Sequence, residues 1–152
     1  GWTRIFSDSF KFESHNKQLF EEFPKPGLSS RPFGSWDWSI PFSTPELALL
    51  ELLADVRETA DFSIADTFFE SAVNLRPKLL GELLAHCKQV KAKRLFLWFS
   101  DRHDHSWRKE LETKGIDLGR GKRMLVKGGV FDAVYQITIP KQMVKENENS
   151  LF

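Results

Sequence analysis

The segment Val90-Lys-Ala-Lys-Arg-Leu-Phe-Leu-Trp-Phe-Ser-Asp-Arg102 decides how this chain folds, because its middle, Leu95 to Phe99, is apolar on every side. Five consecutive apolar residues leave no face for water, so they belong in the core, either as a buried strand or as a buried helix. We predict a helix at this position. The lysines and arginine that precede Leu95 make the entry into this helix strongly basic.

Three short helices are predicted upstream of this segment. The first begins at Ser43-Thr-Pro-Glu46, where Ser43 and Glu46 have the spacing of a capping box and proline occupies the first turn. Its apolar face consists of Leu47, Leu50, Leu53 and Ala54. The second helix is predicted over residues 63–73 and the third over residues 77–87.

Strands are predicted at both ends of the chain. Alternation of apolar and polar residues at Phe10 and Phe12, and again from Trp36 to Phe42, is typical of half-buried strands. Downstream, a helix over residues 107–114 is followed by two strands, 123–126 and 130–139, joined by a glycine turn. The sequence therefore predicts an α+β fold, with several short helices packed with a small, mostly antiparallel sheet and a C-terminal β-hairpin.

Length and composition indicate one globular domain. The chain has 152 residues, of which 41% are hydrophobic, and we expect residues 1–140 to form a single domain followed by a frayed polar tail, 141–152. The single cysteine, Cys87, cannot form an internal disulfide, which favours a reducing compartment. No apolar stretch approaches the roughly 18 residues of a membrane span, so we predict a cytoplasmic protein without membrane contact.

Charge is distributed unevenly along the chain. Residues 1–70 contain 6 Lys+Arg and 12 Asp+Glu, residues 71–152 contain 16 and 9, and residues 88–127 alone contain 12 and 5. Glycines at 119, 121, 128 and 129 would let the backbone approach a phosphate closely. The pattern predicts an acidic partner, nucleic acid or protein; the alternative is a solvated face, or two halves that neutralise each other. The candidate binding residues are Lys88, Lys91, Lys93, Arg94, Arg102, Arg108, Arg120, Lys122, Arg123 and Lys127.

The glycines do not form a recognised nucleotide motif. A P-loop requires glycine at position 116 and Ser or Thr at position 123 around Gly121-Lys122, but Ile116 and Arg123 stand there. The Gly-x-Gly-x-x-Gly pattern fails as well, because Met124 occupies the third glycine position. We therefore expect no cofactor.

Two polar clusters contain residue types suited to metal binding or acid–base chemistry. Asp101, His103, Asp104 and His105 lack the spacing of a closed metal shell, and we predict Asp104 as the N-cap of the next helix. Glu112 and Lys114, with Asp101 or Asp104 upstream, resemble the acidic and lysine set of magnesium-dependent nucleases. Glu112 falls in a predicted helix, however, whereas such sites gather carboxylates from strands. The sequence predicts no catalytic residue and no metal site.

Four blocks of the chain resemble the C-terminal domain of the AbiEi family, the antitoxins and autorepressors of bacterial type IV toxin–antitoxin (abortive-infection) systems. The blocks are Ser43-Thr-Pro-Glu-Leu-Ala-Leu-Leu-Glu-Leu-Leu53, Val90-Lys-Ala-Lys-Arg-Leu-Phe-Leu-Trp98, Ile116-Asp-Leu-Gly-Arg-Gly-Lys-Arg-Met-Leu-Val-Lys-Gly-Gly129 and Tyr135-Gln-Ile-Thr-Ile-Pro140. They occur in the family's order, and the glycine-punctuated third block is the most specific.

The resemblance implies an antitoxin domain that counters a nucleotidyltransferase toxin without a stable complex, and that assists repression of its own promoter. In this family an N-terminal winged helix-turn-helix reads promoter DNA, but this chain has no helix-turn-helix pattern before Ser43. We therefore expect the chain to be the C-terminal part of a longer protein whose basic face makes an auxiliary DNA contact. An interaction module for an acidic protein remains the alternative.

Overall fold

The computed structural model describes residues 18–22, 24–35 and 37–144, which form five helices and four strands. The helices are α1 (Pro45–Asp55), α2 (Thr59–Ser71), α3 (Pro77–His86), α4 (Val90–His103) and α5 (Ser106–Glu110). The strands are β1 (Leu28–Phe33), β2 (Trp38–Ser43), β3 (Val130–Asp132) and β4 (Ile137–Ile139). Both sheets are antiparallel pairs, β1 with β2 and β3 with β4. The predicted α+β fold with a C-terminal hairpin is confirmed.

Helix α4 is the centre of the fold, which confirms the helix predicted for the apolar segment. Every residue from Ala92 to Ser100 is buried, and the helix packs against α1 and α2. The ring of Phe99 stacks on Phe69 of α2 at a centroid distance of 5.0 Å, and it lies 6.1 Å from Phe62. An all-apolar stretch can be helical here because other elements cover it on all sides, so burial rather than periodicity explains its composition.

Helix α1 begins one residue later than the predicted capping box requires, so that prediction is wrong. Thr44 is the N-cap, which puts Glu46 at the second helical position instead of the third. The hydroxyl of Ser43 donates to Glu51 at 2.8 Å. The carboxylate of Glu46 is buried and accepts three hydrogen bonds from Arg76, from the backbone N–H at 2.9 Å and from Nε and Nη2 at 3.0 Å. This ion pair ties α1 to the start of α3.

Helix α2 starts at Thr59, four residues before the predicted start at Ser63. The carboxylate of Asp61 accepts the backbone N–H groups of Arg57 at 2.7 Å and of Glu58 at 3.0 Å. A carboxylate in this place satisfies N–H groups that have no partner within the helix, so the first turn forms before the apolar pattern begins.

The N-terminal hairpin presents an apolar face. The register pairs Phe33 with Trp38 and Arg31 with Ile40, so alternate side chains of both strands share one face. The predicted strand is present, but it is not half-buried as predicted. Trp38 is 68% exposed and Ile40 is 45% exposed. The strand predicted at Phe10 and Phe12, and Trp36 itself, lie outside the described residues.

The C-terminal hairpin lies further along the chain than predicted. Residues 123–126 do not form a strand; Arg123 alone makes an isolated bridge to Ile137. The N–H groups of Leu125 and Val126 donate to the hydroxyl of Thr138, at 2.7 and 3.0 Å, and so cannot join a backbone ladder. A turn splits the predicted 130–139 strand, where Asp132 accepts the N–H of Tyr135 at 2.8 Å. The strands are therefore only three residues long.

The end of α4 also differs from the prediction. Asp104 is the C-cap of α4 in a left-handed conformation, with φ +47°, and His105 is the N-cap of α5. A short polar side chain tolerates this conformation, which lets the chain reverse direction at once. Helix α5 then ends at Glu110, before the predicted end at Lys114, and the Lys114 N–H donates to the Glu112 carboxylate at 2.9 Å.

The packed part of the chain reaches past residue 140, where the frayed tail was predicted to begin. Residues 141–143 form a 3-10 turn, and Met143 is buried. The Met143 carbonyl accepts a hydrogen bond from Arg102 of α4 at 2.7 Å. Residues 145–152 lie outside the described residues. No helix in the described part of the chain has both the length and the hydropathy to cross a membrane.

The ion pair between Glu46 and Arg76 makes a pH-dependent contribution to stability. Burial alone raises the pKa of Glu46, but the hydrogen bonds and charge of Arg76 outweigh it and lower the pKa to about 2. Because the folded pKa lies below the ordinary value of 4.5, the contribution is complete above about pH 4.5 and is lost as pH falls toward 2. We expect Glu46→Gln to lower the free energy of unfolding by about 2 kcal/mol at pH 6, a value reduced because Arg76 is largely exposed.

Urea denaturation at pH 6 and near pH 2.5 measures this effect. The gap between Glu46→Gln and the wild type should narrow as the wild-type carboxylate becomes protonated. Glu70→Gln, a change of the same kind at an exposed position on α2, is the control and should cost less than about 0.5 kcal/mol. A gap that stays constant over this pH range would contradict an ionic role for Glu46.

Candidate functional site

The structure separates the ten candidate cations by their surroundings. Lys93 and Arg94 lie in the interior, 4% and 2% exposed, because they belong to the central helix α4. They therefore lie beneath the exposed surface and not on an open basic face. Burial follows from their position between the apolar residues Ala92 and Leu95, so that their long stems pack in the core.

Four further cations are engaged by groups of the chain itself. The side chain of Lys88 pairs with Glu21, that of Arg102 with Asp66, and that of Arg108 with Asp101, with N–O distances of 2.8, 2.8 and 2.7 Å. The ammonium of Lys91 donates to the Val56 carbonyl at 2.8 Å. A cation that already has a carboxylate or carbonyl partner gains less from a new anion.

The remaining four cations lie on one loop, residues 117–129, which we call the basic loop. They are Arg120, Lys122, Arg123 and Lys127, and all four are exposed. Among the described residues, none of them forms an ion pair with a carboxylate. The ammonium of Lys122 lies 4.9 Å from the centre of the Phe131 ring, a cation–π contact with β3. The structure thus brings together the four cations of the most glycine-rich stretch.

Arg94 holds the basic loop from the interior. Its Nε donates to the Leu118 carbonyl at 2.8 Å, and its Nη1 donates to the carbonyls of Gly121 at 2.7 Å and Gln136 at 3.3 Å. The carbonyls of Leu118 and Gly121 have no other donor among the described residues, so one guanidinium satisfies both. Arg94, predicted from the sequence as a partner-binding residue, therefore supports the exposed cations of the basic loop from within.

Backbone geometry fixes the loop at two glycines. Gly119 has φ +64°, and a Cβ there would lie 2.9 Å from Val90 Cγ2, so both conformation and space favour glycine. Its N–H donates to the Asp117 carboxylate at 2.8 Å. Gly121 has φ +82°. Beyond it, the Arg123 N–H donates to Gln136 at 2.9 Å, which joins the loop to the C-terminal hairpin.

The electrostatics of this region are not balanced locally. Burial lowers the pKa of the Arg94 guanidinium, and the positive charge of Arg123 lowers it further. Both effects disfavour the positive charge of the Arg94 guanidinium. No carboxylate balances this charge, because Arg94 donates to neutral carbonyls. A positive region of this kind attracts an incoming anion.

Comparison with known proteins identifies the family. A family model described as a transcriptional regulator, AbiEi antitoxin of type IV toxin–antitoxin systems, matches residues 1–140. The chain belongs to this AbiEi antitoxin family. The resemblance found from the four sequence blocks is confirmed, and it extends to the N-terminal residues that those blocks leave out. Searches of curated proteins and of solved structures found no significant match.

The AbiEi family is described as regulatory rather than enzymatic. In this domain, the polar residues at the end of α4 make structural contacts. Asp66 of α2 accepts from Arg102 and from the His103 ring, each at 2.8 Å. The His105 ring bonds to the Phe69 carbonyl at 2.7 Å. Asp66 was not singled out from the sequence, because nothing local to α2 marks its partners on α4. Among residues 18–22, 24–35 and 37–144, no three His, Cys, Asp or Glu side chains gather into a potential metal site.

The carboxylates considered for a nuclease have separate partners in this AbiEi domain. Asp101 accepts from Arg108 at 2.7 Å and from the hydroxyl of Tyr135. Burial, followed by the hydrogen bond and charge of Asp101, raises the pKa of Tyr135 to about 12. Glu112 lies in the loop after α5, not in the predicted helix, and binds the Lys114 N–H. These side chains therefore support loops and helix ends.

Proposed function

We propose that this AbiEi domain counters a nucleotidyltransferase toxin in the cytoplasm and assists autorepression by contacting DNA through the basic loop. The domain is part of a longer protein in which a winged helix-turn-helix reads the promoter. The family match supports the antitoxin and regulatory role. The DNA contact is assigned to four residues, Arg120, Lys122, Arg123 and Lys127, with Arg94 as their internal support.

One observation carries this assignment: the four cations are exposed on a loop fixed from within, whereas the other six candidates are buried or engaged by the chain. A fixed loop presents its charges without a large ordering cost on binding. Each phosphate that a cation neutralises contributes about 0.9 to the salt dependence of duplex binding, so four contacts predict a slope of about 3 to 4.

Fluorescence anisotropy with labelled duplexes tests the DNA contact. One duplex carries the promoter repeat of the system and the other a scrambled sequence, each titrated across a salt series. We expect the triple variant Lys122→Glu, Arg123→Glu, Lys127→Glu to bind roughly 100-fold more weakly at low salt, with a slope reduced by about 3. Since phosphate contacts carry no sequence information, both duplexes should lose affinity alike.

A matched charge reversal separates the loop from the general field of the protein. Lys25, Lys78 and Lys109 are exposed lysines outside the basic loop, and their triple change to Glu alters net charge by the same amount. This variant should keep most of the affinity. Equal losses in the two triple variants would show that only net charge matters. If the wild type does not bind either duplex at low salt, the DNA contact is refuted and an acidic protein becomes the partner to test.

A further inference from the structure

A small cavity opens within the basic loop. Its volume is about 240 Å³, and its lining includes Arg94, Gly119, Arg120 and Gly121 together with Tyr135 and Gln136. No Asp or Glu of the described residues lines it. The nearby Asp117 carboxylate already accepts the Gly119 N–H at 2.8 Å. The lining is therefore rich in donors and lacks negative charge.

The Arg94 guanidinium has N–H groups at this cavity that make no hydrogen bond. A guanidinium carries five N–H groups, and in Arg94 the Nε and Nη1 atoms account for all three observed hydrogen bonds. Within the part of the chain that the structure describes, Nη2 has no acceptor, although the residue is only 2% exposed. Nη2 is not one of the fully enclosed polar atoms, so its two N–H groups are open to an acceptor that enters the cavity.

The backbone of the loop supplies further donors. Gly119 and Gly121 have positive φ and Arg120 between them does not, so the backbone turns sharply where it lines the cavity. Among the described residues, the N–H groups of Arg120 and Gly121 have no backbone acceptor. Concave arrangements of this kind bind anions, and the exposed side chain of Arg120 lies at the rim.

We infer that residues 119–121, together with the Arg94 guanidinium and the Arg120 side chain, form a binding site for a single phosphate group. The inference deepens the proposed function, because it rests on the basic loop meeting phosphates and names where one of them is held. The phosphate can belong to the backbone of duplex DNA or to a nucleotide. Arg94 and Arg123 carry like charges close to each other, and a phosphate in the cavity offsets their repulsion.

NMR titration of the ¹⁵N-labelled chain with sodium phosphate, against sodium chloride at matched ionic strength, tests the site. We expect saturable shifts at the amides of Arg120 and Gly121 and at Arg94 Nε. Arg120→Gln removes a charge-assisted contact at an exposed position without disturbing the core, and it should weaken phosphate binding about tenfold. Lys114→Gln, an exposed change outside the basic loop, should leave binding within about twofold. Shifts no larger than those caused by chloride, or shifts spread over the whole surface, would overturn the inference.

Two further titrations distinguish the sources of the phosphate and separate this inference from the DNA contact. Adenosine monophosphate that binds at the same amides more tightly than inorganic phosphate supports the site with a nucleotide as its source. Saturating duplex that abolishes the phosphate-induced shifts supports the site with DNA as its source. Phosphate binding without duplex binding refutes the proposed DNA contact alone, whereas duplex binding with no phosphate shifts at residues 119–121 refutes the phosphate site alone.

Discussion

Replacing Phe99 by alanine should lower the free energy of unfolding by about 4 kcal/mol. Phe99 is fully buried on the central helix α4. Its ring stacks on Phe69 at 5.0 Å and meets Trp98 edge-on at 4.9 Å, while Phe62 lies 6.1 Å away. Truncation removes the apolar burial and leaves a cavity between two helices that cannot close fully on each other.

Phe68→Ala is the matched control for this prediction. Phe68 is next to Phe69 on α2, but it is 55% exposed, so the same truncation removes little buried surface and should cost less than about 1 kcal/mol. Urea denaturation followed by circular dichroism measures both values. Equal losses for the two variants would show that α2 and α4 do not pack through Phe99.

Replacing Arg94 by leucine should lower the free energy of unfolding by about 3 kcal/mol and should also weaken DNA binding, although the side chain is buried. The substitution removes the donors that satisfy the carbonyls of Leu118, Gly121 and Gln136. The Gln136 carbonyl keeps the Arg123 N–H, but the carbonyls of Leu118 and Gly121 lose their donor and must turn toward water. The basic loop then loses its fixed conformation. Binding DNA must order the loop again, and the lost conformational entropy weakens binding.

Arg123→Leu separates the structural effect from the electrostatic one. The Arg123 side chain is exposed, and its backbone hydrogen bonds with Gln136 and Thr138 are retained, so stability should change by less than about 0.5 kcal/mol while DNA affinity falls. Denaturation midpoints measure the stability of both variants, and anisotropy titrations measure their DNA affinity. An Arg94→Leu protein with wild-type stability would contradict the role of Arg94 as the internal support of the loop.

The helices were more predictable than the strands and caps. The burial of Leu95 to Phe99, the apolar face of α1 and the existence of α2 and α3 all followed from local composition. Two of the predictions that failed depend on partners distant in sequence. Glu46 points to Arg76, thirty positions away, and the N–H groups of Leu125 and Val126 go to the Thr138 side chain. Local patterns contain no information about such partners.

The sequence by itself determined the fold class, the family and the concentration of positive charge between residues 88 and 127, because these depend on composition, order and periodicity. Only the tertiary structure decided which cations face a partner. Lys93 and Arg94 share a stretch with Lys88 and Lys91, yet the central position of α4 buries them, while Arg120 and Lys122 stay exposed on a loop that Arg94 holds. The sequence shows where a charged residue lies along the chain, but its exposure depends on which elements pack over it. That packing is a property of the whole chain.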